Sequence, residues 1–158
     1  MPPRTVSSGS GWSGAPLPAD AAAGGGHRKL VVNVDGGARG NPGPAAAAAV
    51  ASTPDGKVIE QRGERLGTAT NNVAEYRGVL LGIDLARELG AAELELVGDS
   101  ELVVRQIKGE YKVKQTGLKP LRAEVREALE DFDEWSIRHV RREENAAADL
   151  LVNETLDE

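Results

Sequence analysis

Two stretches that read as β-strands run straight into an acid. "LVVNVD" ends on Asp35 and "AELELVGD" on Asp99, although Asp is a poor strand residue. Glu75 falls in the first turn of the first long helical pattern, and Asp149 in the first turns of the last. Ligands of open α/β sheets sit outside strand ends. Carboxylate oxygens are the ligands that a hard divalent cation such as Mg²⁺ takes, and cations held this way can activate water. The chain has no cysteine, so disulfides and thiolate metal sites are excluded. Each acid also has a plainer role. Glu75 stands three residues after Asn72, the spacing of a capping box, and Asp99 would cap a helix opening at Ser100.

The elements that must position these acids follow from periodicity and turn residues. Residues 29–35 read as a first strand and "PAAAAAVAS" (44–52) as a buried second one, although its alanines alone would favour a helix. The turn "TPDG" leads to a third strand at 57–66. Residues 71–90 place Ala74, Val79, Leu80, Ile83, Ala86 and Leu89 near helical spacing and stop at Gly90. A strand at 92–99, helices at 100–109 and 119–130, a strand at 134–140 and a helix at 145–157 complete the order. A meander followed by alternating helix and strand implies an α/β fold, a mixed sheet with helices packed on it.

With 158 residues, 40% hydrophobic and 28% charged, the chain suits one compact domain, expected over 29–158. Residues 1–28 are rich in Gly, Ala, Ser and Pro without apolar period and are expected to be a disordered tail, with Trp12 incidental in it. No run approaches the length of a membrane helix and no signal-type stretch opens the chain. A cytoplasmic monomer is the expectation. The net charge of −6 gives no bulk attraction for a polyanion, so a nucleic-acid partner would need basic patches or metal ions.

Four segments, "DGGARGNPGP", "TNNVAEYRG", "GDSELVVRQIKGEYKVK" and "HVRREENAAADLL", stand in this order at suitable spacing. Together they resemble ribonuclease H of type 1, in its compact archaeal and bacterial branch, from about Leu30 to Asp157. The resemblance implies a ribonuclease-H-like fold: a five-stranded mixed sheet, its first three strands antiparallel, flanked by helices. It implies an endonuclease that cuts the RNA strand of RNA/DNA hybrids with two Mg²⁺ ions, Mn²⁺ able to substitute, leaving 5′-phosphate and 3′-hydroxyl ends. The family's four acids fall on Asp35, Glu75, Asp99 and Asp149. Asp35 would bridge the ions, Glu75 and Asp99 would hold the one near the leaving oxygen, and Asp149 the one that activates water. His139 matches a residue that aids product release or proton transfer, or else is a partly buried structural histidine.

The hybrid must be told apart by 2′-hydroxyls displayed in a shallow minor groove. Gly36, Gly37, Gly40 and Gly43 would let the RNA backbone approach closely. Asn41, Asn71 and Asn72 match groove contacts, and Thr70 a phosphate contact; "TNN" would also cap a helix. Basic residues at Arg105, Lys108, Lys112, Lys114, Lys119 and Arg122, with Tyr111 among them, would grip the DNA strand, or would be a solvated face. The branch is in some bacteria fused to a C-terminal phosphatase-like domain, so such a partner domain is a possible extension. Three rivals stand beside the hybrid nuclease: a catalytically silent hybrid-binding module, a structure-specific DNA nuclease of the same fold, and a divalent-ion-binding domain.

Overall fold

The computed structural model describes residues 4–5 and 27–158. Arg4–Thr5 is β1, Lys29–Ala38 β2, Gly43–Ser52 β3 and Val58–Ala69 β4. Helix α1 (Asn71–Glu88) leads to β5 (Glu93–Gly98), α2 (Glu101–Lys108) and α3 (Lys119–Leu129). Then come β6 (Glu134–His139), a 3₁₀ turn at Arg142–Asn145 and α4 (Ala146–Asp157). The sheet order is β1-β4-β3-β2-β5-β6. Strand β3 is antiparallel to both β2 and β4, while β5 lies parallel to β2, and β6 parallel to β5. This is the expected five-stranded mixed sheet, to whose outer edge Arg4–Thr5 adds a two-residue pairing with Arg62 and Gly63. The expected tail, Trp12 included, otherwise lies outside the described residues until His27. Just before β2, the Arg28 carbonyl accepts from the amides of Ala92 and Glu93.

The alanine run is a strand because helices press on both of its faces. Ala47, Ala49 and Ala51 face the main core, which α1, α2 and α3 cover; Ala46 and Ala48 meet Val152 of α4 on the other side. Side chains alternate across a strand, so small residues at every position let both layers come close. Burial on two faces outweighs the helical propensity of alanine. Two strands run further than their composition suggests. β2 continues through Asp35, Gly36 and Gly37, which pair with Ala48, Ala47 and Ala46, and β4 continues to Ala69. Asp35 therefore lies within a strand, not at its end. Among the described residues no helix is long and apolar enough to cross a membrane.

Candidate active site

The meeting of α1 with β2 places the first two acids. Ala74, Gly78 and Gly82, at i, i+4 and i+8, form a smooth stripe along α1. A Cβ on Gly78 would run into the Asp35 carbonyl, and one on Gly82 would come within 2.5 Å of Val34 Cγ1. From the strand side, a Cβ on Gly36 would overlap the Ala74 carbonyl. Helix backbone thus rests on strand backbone, and Glu75 is carried against Asp35. This corrects the reading of Gly36 as room left for RNA: helix α1 already fills that space. Gly43 likewise is demanded by the Arg39 carbonyl, whereas a Cβ on Gly37 would only touch Val152 Cγ1 at 3.7 Å.

Asp99 arrives through the parallel pairing of β2 with β5. Val34 is opposite Gly98, so the next residue of each strand is an acid. Carboxylate oxygens of Asp35, Glu75 and Asp99 all lie within 4.8 Å of one another. Asp149, in the first turn of α4, comes within hydrogen-bonding reach of the Asp35 carboxyl. It shares with Asp35 and Glu75 the wall of a cavity of about 460 Å³. The capping roles that would have explained these acids are taken by others. Thr70 caps α1, accepting from the Val73 amide at 3.2 Å, and Ser100 caps α2, accepting from Val103 at 3.3 Å. Glu75 is the fifth residue of α1, two residues past the position a capping box uses.

Crowded and desolvated carboxylates hold their protons. Burial, then the charges of Asp99 and Asp149, push Asp35 up to about 8; the Gly36 amide pulls the other way. Glu75 rises to about 9 through burial and the charges of Asp35 and Asp99, with the Gly36 amide and Arg142 opposing. Asp99 Oδ2 is buried with no hydrogen-bond partner among the described residues. An unpartnered oxygen in a cluster of acids fits a hard cation: every donor is a carboxylate oxygen, and the cation would relieve both the repulsion and the missing bond.

Gly37 and Asn71 line the same cavity. The Asn71 amide donates to Asn41 Oδ1 at 3.0 Å, and Asn71 Oδ1 accepts from the Ala38 amide at 2.9 Å, tying the Gly-rich turn to the start of α1. Asn72 is half-buried beside them. His139 is exposed at the end of β6, opposite Gly98, which corrects the alternative reading of it as a partly buried structural histidine. It does not line the cavity of the acids. Lys112 and Lys114 lie on the exposed loop after α2, in a separate groove of about 540 Å³ with Leu102, Gln106 and Tyr111. Their expected companions are partly engaged: Arg105 pairs with Glu101 and Glu110, Lys108 with Glu110, and Arg122 donates to the Gln106 carbonyl.

Three contributors escaped sequence reasoning. Asn145 is 1% exposed; its Oδ1 accepts from Asn33 Nδ2 and its Nδ2 donates to the Val34 carbonyl, both at 2.9 Å. It thereby fixes the approach of α4, and so Asp149, to the strand of Asp35. Arg142 Nε lies 4.0 Å from Asp149 Oδ1 and lines the cavity. Arg39, also in the wall, pairs with Asp157 at 2.8 Å. Arg142 and Asn145 stand inside "HVRREENAAADLL", where only their nearness to Asp149 could have marked them.

Residues 33–155 match the family model described as "Reverse transcriptase-like". The chain is 44% identical over 124 residues to ribonuclease HI of Halobacterium salinarum, covering 78% of this chain and 62% of that protein. It is 43% identical over 130 residues to a bifunctional protein of Mycobacterium tuberculosis, of which it spans 36%. The crystal structure of RNase H1 from Halobacterium salinarum superposes with a TM-score of 0.80 at 42% identity, over 82% of this chain and 98% of that one. LC11-RNase H1 in complex with an RNA/DNA hybrid superposes with a TM-score of 0.77 at 38% identity, over 81% and 96%.

Proposed function

The chain belongs to the ribonuclease H family of type 1, and from this premise we propose that it hydrolyses the RNA strand of RNA/DNA hybrids internally, leaving 5′-phosphate and 3′-hydroxyl ends. The observation that carries the reading is the gathering of Asp35, Glu75 and Asp99 within 4.8 Å, with Asp149 in reach of Asp35. These acids would hold two divalent cations, Mg²⁺ with Mn²⁺ as substitute: Asp35 bridging, Glu75 and Asp99 on one side, Asp149 on the other. Bound there, the ions supply the activated water and neutralise charge on the attacking and leaving oxygens.

The side chains set the terms. Asp35 and Glu75, raised to about 8 and about 9, carry protons at neutral pH and must release them as cations bind. Arg142 steadies Asp149 from the solvent side, while Asn145 holds the helix that delivers it. For the hybrid, the pinned oxygens of Asn41 and Asn71 leave two amide NH₂ groups as donors for 2′-hydroxyl or base acceptors. Thr70 accepts a capping bond, so its hydroxyl proton is what it offers a DNA phosphate. Gly37 and Asn72 complete this minor-groove face, to which Gly36, its Cα side covered by α1, offers backbone alone, and Lys112 and Lys114 grip the DNA strand. For His139 we keep proton transfer or product release, supported by its exposure beside Gly98 at a strand end.

The test is end-labelled RNA/DNA hybrid incubated with the protein, beside RNA/RNA and DNA/DNA duplexes, in Mg²⁺, Mn²⁺ or chelator. Internal cuts in RNA of the hybrid alone, with polymerase-extendable 3′ ends and full dependence on cation, are expected. Comparable cleavage of duplex DNA, or activity that survives excess chelator, overturns the reading. Binding of hybrid without cleavage in either metal would leave a silent binding module.

A further inference from the structure

The core face of α1 carries a phenol whose ring packs but whose hydroxyl packing does not need. Tyr76, adjacent to Glu75, is fully buried, and its hydroxyl donates to Gln106 Oε1 of α2 at 2.7 Å. Gln106 is itself only 4% exposed. Its Nε2 turns outward and donates to the Lys112 carbonyl at 3.3 Å. Only this orientation of the amide works, since a carbonyl can accept but not donate. For residues Lys112 to Lys114 it is the one hydrogen bond to the backbone among the described residues, in a stretch with no helix or strand.

A polar pair in a core is the costly solution. Phe and Met would fill the same volume without two polar groups to satisfy, and replacing both partners of a buried hydrogen bond by apolar groups is close to neutral. What an apolar pair cannot do is bond the Lys112 carbonyl. The arginines of α3 hold the same end of α2 from the other side, Arg122 on the Gln106 carbonyl and Arg126 on that of Ile107 at 2.7 Å. The anchor therefore stands on a helix end that α3 ties down at two carbonyls. Helix α2 begins two residues after Asp99 and covers about 12 Å, so it also sets the distance from the acids to the loop.

We propose that Gln106 is a positioning residue for substrate: through its bond to the Lys112 carbonyl it holds the Lys112–Lys114 loop at a fixed distance from the acids, so that both lysines meet one nucleic-acid backbone. This rests on the reading of that loop as a grip on the hybrid. Tyr76, fully buried, donates to the amide oxygen and so holds Gln106 in its working rotamer.

The experiment compares Gln106→Met, Gln106→Glu, the pair Lys112→Ala/Lys114→Ala, and the pair combined with Gln106→Met, by steady-state cleavage of hybrid over a salt series and by thermal melting. Gln106→Met loses both bonds. Gln106→Glu keeps the acceptor for Tyr76 and, assayed at a pH where its carboxylate is ionised, lacks the donor to the loop, so one variant reports if the other folds poorly. Expected is a KM raised about three- to tenfold in either variant with kcat within about twofold. The salt dependence of KM should be shallower, and Gln106→Met should have no further effect once the lysines are gone. A Gln106 change that alters melting alone, or that raises KM equally with and without the lysines, overturns the inference while the loop reading stands. If the lysine pair itself leaves KM and its salt slope unmoved, the loop does not bind substrate, and both readings fall together.

Discussion

At Asp35 the chain sets a carboxylate inside a paired strand and 4% exposed, with burial first and then Asp99 and Asp149 raising its affinity for a proton. A side chain so placed is defined by charge more than by shape. Asp35→Asn keeps the shape and removes the charge; turnover should fall by at least about 10³-fold while hybrid binding changes by less than about threefold, because the groove contacts are untouched. Single-turnover cleavage and a binding titration check this, and a near-normal rate would show that Asp35 is misassigned. The four acids were legible because they sit in motifs of fixed order. Asn145 and Gln106 were not, since a buried amide that bonds residues far away in sequence leaves no period and no local signature. Asn145 joins Asn33 and Val34 from more than a hundred residues away. The bland alternatives for Glu75 and Asp99 fell for a local reason: Thr70 and Ser100, each one position outside its helix, already supply the caps.

Between elements, the determining contact is backbone against backbone. α1 lies on β2 through Ala74, Gly78 and Gly82, and Gly36 faces that stripe. Helical glycine weakens an isolated helix, so Gly78 and Gly82 read as blemishes in a sequence, and the apolar period around them carries the prediction instead. Their purpose needs β2 to be in place. The alanine strand is the mirror case: propensity points to helix, and only the layers on both faces make it a strand. Strand lengths were underestimated at Asp35 because glycine and an acid look like a loop until their ladder with Ala46–Ala48 is known. Gly36→Ala should cost about 2–3 kcal/mol in urea melting and lower turnover, since helix and strand must part where Glu75 meets Asp35. Gly37→Ala, whose Cβ would make ordinary contact at 3.7 Å, should stay within about 0.5 kcal/mol. Equal costs at the two positions would mean that α1 does not rest on Gly36.

For the molecule as a whole, the acid cluster opposes folding unless something neutral or positive occupies it. Glu75 ordinarily titrates at 4.5 and in the fold near 9; Asp35 moves from 3.8 to about 8. Below the ordinary carboxyl range both states hold these protons and the cluster costs nothing. As pH rises through that range the unfolded chain releases protons that the folded one keeps, so stability falls with pH until about 8 to 9, where the folded site also ionises. Composition could not show this, since a net charge of −6 says nothing of where the acids stand. Glu75→Gln retains the shape and removes the titration. In chelator it should match wild type near pH 4 and exceed it by about 1–3 kcal/mol at pH 8, well below the full shift because neighbouring acids share the repulsion. Saturating Mg²⁺ should then stabilise wild type more than the variant, closing or reversing the gap, because binding to the folded state alone adds to its stability and the variant lacks a ligand. Urea melting of both proteins from pH 4 to 9, with chelator and with Mg²⁺, measures all of this. A gap in chelator that does not grow with pH would mean Glu75 ionises normally in the fold. A variant less stable than wild type at pH 8 would mean that its carboxylate is held by a partner and the acids do not form a repelling cluster.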